Sequence, residues 1–270
     1  MPVVALLLVG LGAGVLSGMF GIGGGVVIVP ALTVLLGFEL KAATGTSLAA
    51  LLMPVGIFAV IAYHRAGLLR LSTAVPVAVG LIFGAIVGAN IALGLETQTL
   101  QQLYGIFLLW IDWRFAEPRK FYAAYRAGTL RQPAAKPPDT VEASLWMLLL
   151  VGLGAGVLSG MFGIGGGVVI VPALVALLKF DQKLAVGTSL AALLLPVSAG
   201  AVVAYYQAGM LDFGVAALVA GGLIVGAFGG AKLAISLPSS TVKRLYGIFL
   251  IIIGLRFLGV FDLLFNLLRG

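Results

Sequence analysis

The chain has 270 residues, of which 61% are hydrophobic and only 9% are charged. Soluble domains carry roughly 25% charged residues, so this composition excludes an ordinary soluble protein and indicates an integral membrane protein. The net charge of +7 comes largely from Lys and Arg at the ends of apolar runs. Such residues report orientation in a membrane, so nucleic acid is not a predicted partner. The absence of cysteine excludes disulfides and cysteine catalysis.

In chain order, the apolar segments fall into two similar halves. Residues 6–32 are identical to residues 148–174, and the offset of 142 positions holds without a gap to Phe115 and Phe257. Five segments in each half lack the alternation of a membrane barrel strand and therefore predict helices. The predicted segments lie at about 3–20, 22–38, 42–63, 71–95 and 99–115, and again at about 145–162, 164–180, 184–206, 213–237 and 241–258.

The halves predict a first transmembrane repeat at 1–115, a polar linker at 116–143 and a second repeat at 144–270. Because five is odd, the second repeat must lie in the membrane with the opposite orientation to the first. With the N-terminus outside, 13 of the 16 basic residues become cytoplasmic, as the positive-inside rule requires. We therefore predict an all-α polytopic protein of the cell (inner or plasma) membrane. It has about ten segments, both termini outside and a cytoplasmic linker.

The charges of the two copies are complementary. Arg65 and Arg70 mark a loop whose partner loop, 207–212, has no basic residue, and Asn90 is replaced by Lys232. Near-identical units with complementary charge are what an inverted repeat requires.

The first two segments of each repeat are short. About 16 residues make a helix of roughly 24 Å, against a hydrocarbon core of about 30 Å. Either both segments cross the membrane, or they form a re-entrant hairpin whose tip, GMFGIGGG, stops near the midplane. The predicted orientation of the repeats is the same in both cases.

The tip can bind an anion without a basic side chain. Gly21, Gly23, Gly24 and Gly25 lack a Cβ, so a ligand can approach their backbone N–H groups closely. They also open the second helix, whose N-terminus carries partial positive charge. Residues 163–167 would face them after inversion. The alternative is that these glycines only pack helices, which is the interpretation we favour for the GxxxG stripes. Those stripes are Gly10, Gly14, Gly18, Gly80, Gly84, Gly88, Gly222, Gly226 and Gly230.

Further polar residues lie close to the tips in sequence. Gly45, Thr46 and Ser47 open the third predicted helix, where hydroxyls either cap the helix or face a ligand. Pro54 and Pro196 lie inside the third helix of each half and either kink it beside a cavity or are merely tolerated. Ser17 either contacts the ligand or packs among small residues. His64, the only histidine, adjoins Arg65 at a membrane boundary, which favours an interfacial role over proton relay.

The motifs GxxSGMFGIGGGxxxxPAL, AxGTSLAALLxP and AYxxAG occur twice in fixed order. In this combination the chain resembles the TauE/SafE family of sulfite exporters, also called TSUP or DUF81. The resemblance covers both halves and implies transport of sulfite, sulfonates or related organic acids. The matching motif positions are Ser17, Gly21, Gly23, Gly24, Gly25, Pro30, Gly45, Thr46, Ser47 and Pro54, with Ser159, Gly163, Gly165, Gly166, Gly167, Pro172, Gly187, Thr188, Ser189 and Pro196 in the second copy.

We predict a secondary transporter, with export as the predicted direction, for small sulfur-containing anions. It works by alternating access around a midplane site made by the glycine tips. The alternatives are a passive anion channel and a carrier of other small organic acids. No cluster of catalytic residues points to an enzyme, no cofactor is predicted, and protons are the coupling ion considered. The predicted substrate-binding residues are Ser17, Phe20, Gly21, Gly23, Gly24, Gly25, Thr46 and Ser47, with Ser159, Phe162, Gly163, Gly165, Gly166, Gly167, Thr188 and Ser189.

Overall fold

A computed structural model describes residues 3–116 and 144–237, together with Leu255, and for residues 108–116 it describes only the helical backbone. These residues form eleven α-helices and no strand. The first half contributes α1 (Val3–Phe20), α2 (Gly25–Pro30, continued by a π-helical turn at Ala31–Leu35), α3 (Leu40–Leu52), α4 (Ile57–Arg65), α5 (Leu71–Gly94) and α6 (Thr97–Ala116). The second contributes α7 (Leu145–Phe162), α8 (Gly167–Leu177), α9 (Gln182–Leu193), α10 (Ala199–Gln207) and α11 (Phe213–Ser236).

The predicted last segment at 241–258 and all but the first residue of the linker at 116–143 lie outside the described residues, Leu255 excepted. In the described part, helices of the two copies correspond at the sequence offset. The copies differ in α2, which ends in a π-helical turn where α8 stays α-helical. Thr33, whose counterpart is Val175, lies in that turn and donates to the carbonyls of Val29 (3.0 Å) and Pro30 (3.1 Å). A hydroxyl that competes for helical carbonyls in this way favours local irregularity.

Four of the described helices are long and apolar enough to cross a membrane. They are α1 and α7, with 18 residues each, and α5 and α11, with 24. The pair α3 and α4 makes a fifth candidate span, bent by 53°. By contrast α8 has 11 residues, about 16 Å, which is half the thickness of a hydrocarbon core. The second segment of each half is therefore a shorter helix than its apolar run predicts.

The third segment of each half is broken near Pro54 and Pro196, so the structure favours the kink over the merely tolerated proline at these positions. Helix α3 ends at Leu52 and α4 begins at Ile57, and the second copy breaks in the same place, between α9 and α10. A proline ring has no N–H to donate and clashes with the carbonyl four residues before it, so the helix stops short of the proline.

A correction concerns Gly45, Thr46 and Ser47, which do not open α3. The helix begins at Leu40, more than one turn earlier. Leu40, Lys41 and the two alanines that follow are good helix formers, so nothing in the sequence delays the helix start to Gly45.

The long helices pack in pairs that join one half to the other. On α1, a Cβ placed on Gly10, Gly14 or Gly18 would lie within 2.1–2.5 Å of a backbone carbonyl oxygen of α11. On α5, Gly80, Gly84 and Gly88 meet backbone atoms of α7 in the same way. Only glycine permits this approach, so the prediction that the stripes pack helices is confirmed.

These helix pairs run parallel. Gly10 lies beside Val219, Gly14 beside Leu223 and Gly18 beside Ala227, so both numbers rise in the same direction. The α5–α7 pair shows the same order, since Gly80 lies beside Leu149 and Gly88 beside Val157.

Candidate functional site

The two glycine loops meet tip to tip. A Cβ on Gly25 would lie 2.0 Å from the carbonyl oxygen of Gly163, and one on Gly167 would lie 2.1 Å from that of Gly21. Between these contacts, a Cβ on Gly23 would be 3.6 Å from the Cα of Gly165, and the reverse distance is also 3.6 Å. The loops that are identical in sequence therefore make reciprocal contacts.

The tip backbone has a conformation that favours glycine. Gly21, Gly23 and Gly24 have φ angles of 71°, 79° and 90°, and their counterparts have nearly the same values. The first helical hydrogen bonds of α2 run from the N–H groups of Val27 and Ile28 to the oxygen of Gly24. The N–H groups that come earlier in the chain have no carbonyl acceptor within the helix. They carry the partial positive charge of the helix start.

The tips lie about half-way along the longest helices. A Cβ on Gly24 would be 3.4 Å from a methyl carbon of Leu223, which is near the middle of α11. Gly166 has the same relationship to Leu81, near the middle of α5. Each tip is thus far from both ends of the helix that flanks it.

A cavity of about 20 Å³ lies beside the tips. By this measure a cavity needs about 10–15 Å³ to hold one water molecule, so it has room for little more than one. Its polar side chains are three serines and its walls are leucine and valine. The lining consists of Ser17, Gly23, Leu51, Val55, Gly56, Ser159, Gly165, Leu190, Leu193, Val197 and Ser198.

Ser17 and Ser159 are 2% and 1% exposed. Within the described part of the chain, Ser159 Oγ has no hydrogen-bond partner. An unsatisfied buried hydroxyl is costly, and one that lines a cavity is available to a polar ligand.

The helix breaks supply the other wall of the cavity, which agrees with one of the two interpretations of Pro54 and Pro196, a kink beside a cavity. Gly56 and Ser198 occupy the same position in the two copies and are the N-cap residues of α4 and α10. Ser198 makes no capping bond and instead donates to the oxygen of Leu48, at 3.1 Å. Pro54 and Pro196 were the signal for this wall, since proline predicts a break.

Four of the sixteen predicted substrate-binding residues line the cavity: Ser17, Gly23, Ser159 and Gly165. Ser47 and Ser189 do not line the cavity and instead form hydrogen bonds to the glycine loops. Ser47 Oγ donates to the oxygen of Gly163 at 2.8 Å, and Ser189 Oγ donates to that of Gly21 at 2.9 Å. Each bond joins α3 or α9 of one copy to the loop of the other.

Thr46 and Thr188 lie farther from the cavity and accept hydrogen bonds from the backbone. The N–H of Asp212 donates to Thr46 Oγ1 at 3.1 Å, and the N–H of Arg70 donates to Thr188 Oγ1 at 3.2 Å. They fix the loops that precede α11 and α5. A Cβ on Gly45 would lie 2.1 Å from the oxygen of Met210, so this glycine allows the same approach.

The predicted aromatic residues Phe20 and Phe162 are buried in the core, 1% and 3% exposed, and do not line the cavity. Phe162 stacks on Tyr104, with ring centroids 5.1 Å apart, and on Phe107. Of the remaining tip glycines, Gly21, Gly25, Gly163 and Gly167 form the loop-to-loop contact, whereas Gly24 and Gly166 pack against Leu223 and Leu81.

Ionisable side chains lie away from the cavity, at two opposite ends of the described structure. The Arg70 end carries Arg65, Arg70, Lys179, Asp181, Lys183 and Lys232. The Lys41 end carries Glu39, Lys41, Glu96 and Asp212. Contacts define these ends: Arg70 lies 5.1 Å over the ring of Phe180, and Lys183 Nζ donates to Ile235 O. At the other end Lys41 Nζ donates to Leu93 O, and Thr97 donates to Glu39.

His64 lies in the last turn of α4 and is exposed, which agrees with an interfacial position. Among the residues the structure describes, no group of three or more His, Asp or Glu side chains is placed to hold a metal ion.

Residues 6–257 match the family model for the sulfite exporter TauE/SafE. The chain is 30% identical to the probable membrane transporter protein YunE of Bacillus subtilis, over 97% of this chain and 100% of that protein. It is 31% identical to a probable membrane transporter protein of Methanocaldococcus jannaschii, over 75% of this chain and 72% of the relative. No solved structure matches the chain significantly. The chain is a membrane transporter homologue that belongs to the sulfite exporter TauE/SafE family.

Proposed function

We propose that this protein is a secondary transporter that exports small sulfur-containing anions, such as sulfite or organosulfonates, across the cell membrane. The observation that carries the proposal is the cavity beside the two glycine tips. Its lining includes the N-cap residues of α4 and α10 and the hydroxyl of Ser159, which has no partner among the described residues, and none of the lining side chains is ionisable. Uncharged donors at helix starts favour an anion and disfavour a cation. The family description supports the sulfur-containing class and the outward direction.

We further propose that the two halves are inverted repeats of five membrane segments each. Support comes from helix directions. Lys41 contacts the end of α5, and Thr46 contacts the loop that begins α11, so α11 starts at the end of the molecule where α5 finishes. Because α1 runs parallel to α11 and α7 runs parallel to α5, α1 and α7 start at opposite ends. Equivalent helices that start at opposite ends are expected of an inverted repeat.

The charge distribution supports cytoplasmic placement of the Arg70 end, and with it an outside N-terminus. Among the described side chains, this end has five basic residues and one acidic residue, whereas the Lys41 end has one basic and three acidic residues. The positive-inside rule assigns the basic end to the cytoplasm.

The short helices α2 and α8 support the re-entrant alternative, in which each tip stops near the membrane midplane. Irregular backbone at that depth is tolerated where it is buried in protein or lines a cavity, and these loops do both. The cavity is too small for an anion of several heavy atoms, so binding requires the tips or the helix breaks to move apart. A site that must open favours alternating access over a permanent pore.

Uptake into proteoliposomes tests this function. We expect uptake of labelled sulfite or sulfonate that saturates with concentration and is accelerated by the same anion on the opposite side. Uptake that never saturates, without this acceleration, would indicate a channel. Absence of any anion flux from correctly folded protein would refute the proposal.

A further inference from the structure

The polar groups of the cavity are all uncharged. They are the hydroxyls of Ser17, Ser159 and Ser198 and the backbone of the tips. The charged side chains that the structure describes lie at the Arg70 end and the Lys41 end, whereas the tips lie half-way between the ends of the long helices. Among the described side chains, an anion in the cavity therefore meets dipoles and no neighbouring cation.

A site that binds an anion through dipoles alone favours a monovalent anion over a divalent one. Attraction to a fixed dipole rises in proportion to the ligand's charge, whereas the cost of removing an ion from water rises with the square of that charge. Helices α4 and α10 begin at the cavity, because their N-cap residues Gly56 and Ser198 line it, and each helix start contributes about half an elementary charge at most. The free hydroxyl of Ser159 adds one neutral donor. A second negative charge would double the attraction and quadruple the desolvation cost.

The rest of the wall is apolar. Leu51 and Leu193 stand at equivalent positions in the two copies, as do Val55 and Val197, and Leu190 adds a fifth aliphatic side chain. Aliphatic walls favour a ligand that presents an apolar group and disfavour one surrounded by oxygens on every side.

We propose that the site selects monovalent anions that carry a small apolar group, as an alkanesulfonate does, and rejects divalent anions such as sulfate. This inference rests on the proposed function. For sulfite it means that the hydrogensulfite form is the bound species and the dianion is not.

Equilibrium binding to the purified full-length protein, at constant ionic strength, tests the charge preference. We expect methanesulfonate to bind at least tenfold more tightly than sulfate. Sulfite should bind more tightly as the pH falls and hydrogensulfite replaces the dianion. Methanesulfonate is the matched control, because it stays monovalent over this range and its affinity should not change. Sulfate binding as tightly as methanesulfonate would overturn this inference and leave the anion site intact. Binding of none of the three anions, sulfite included, would refute the proposed function itself.

A variant tests the apolar wall separately. Leu193→Ala enlarges the cavity, so the affinity for ethanesulfonate relative to methanesulfonate should rise severalfold. Leu195→Ala is the matched control, because Leu195 lies in the same break but is 42% exposed and does not line the cavity. An unchanged ratio in a folded Leu193→Ala variant, or an equal change in Leu195→Ala, would overturn the assignment of this wall.

Discussion

Gly25 lies so close to Gly163 that a Cβ on Gly25 would come within 2.0 Å of the Gly163 carbonyl oxygen. The reciprocal pair, Gly167 and Gly21, has a distance of 2.1 Å. This double contact places the tips of the two halves against each other beside the cavity, so the four glycines set the geometry of the candidate site. Gly23 and Gly165, which lie between the pairs, are the tip glycines that line the cavity.

Glycine packing between α1 and α11 should be sensitive to a single methyl group. Gly14→Ala brings a Cβ within 2.5 Å of the oxygen of Leu223, and we expect a destabilisation of about 1–3 kcal/mol. Gly12→Ala, on the same helix, is the control, since nothing lies within 4 Å of its Cβ position. Thermal unfolding in detergent measures both. Equal midpoints for the two variants would contradict this packing.

The hydroxyls of Ser47 and Ser159 should have different roles, one in stability and one in anion binding. Ser47→Ala removes the bond to the buried oxygen of Gly163 and should lower stability by about 1–3 kcal/mol. Ser159→Ala removes a hydroxyl without a partner among the described residues, so stability should hold while anion affinity falls. Unfolding midpoints and anion binding are measured on both variants. If Ser159→Ala binds anions as well as the wild type, Ser159 is not a ligand.

The inverted orientation predicts opposite exposure of equivalent loops. Ala66 and Ala208 are counterparts and both are exposed. In the natural chain, which has no cysteine, Ala208→Cys should react with a membrane-impermeant maleimide on intact cells, whereas Ala66→Cys should react only after permeabilisation. Labelling of both variants from the same side would show that the halves are not inverted.

Much of the fold could be predicted because the sequence repeats. Identical residues at a fixed offset predicted equivalent helices. The GxxxG spacing predicted that Gly14 packs closely against another helix, because only small residues allow such an approach. The tip glycines were identified for the same reason. The two tips face each other and a cavity lies beside them, while their role in binding stays a prediction.

The walls of the cavity could not be predicted in this way. Leu51 and Val55 are indistinguishable by hydropathy from leucines and valines of the core, since burial against protein and exposure to a cavity select the same side chains. Ser198 could not be predicted from the repeat, because its counterpart is Gly56 and the hydroxyl is present in only one copy. The direction of the Ser47 hydroxyl depends on a loop 116 residues away, which local sequence does not reveal.

Substrate protection of single cysteines measures whether the anion binds in the cavity beside the two tips. Ser17→Cys and Ser159→Cys place the only thiol of the chain at the cavity, and Ser236→Cys places it at the exposed end of α11. The probe is an anionic methanethiosulfonate reagent applied to transport-active protein. We expect methanesulfonate to slow labelling at Ser17→Cys and Ser159→Cys at least fivefold and to leave labelling at Ser236→Cys unchanged. Unprotected labelling at both cavity positions, at a methanesulfonate concentration that saturates transport, would show that the anion does not bind in this cavity.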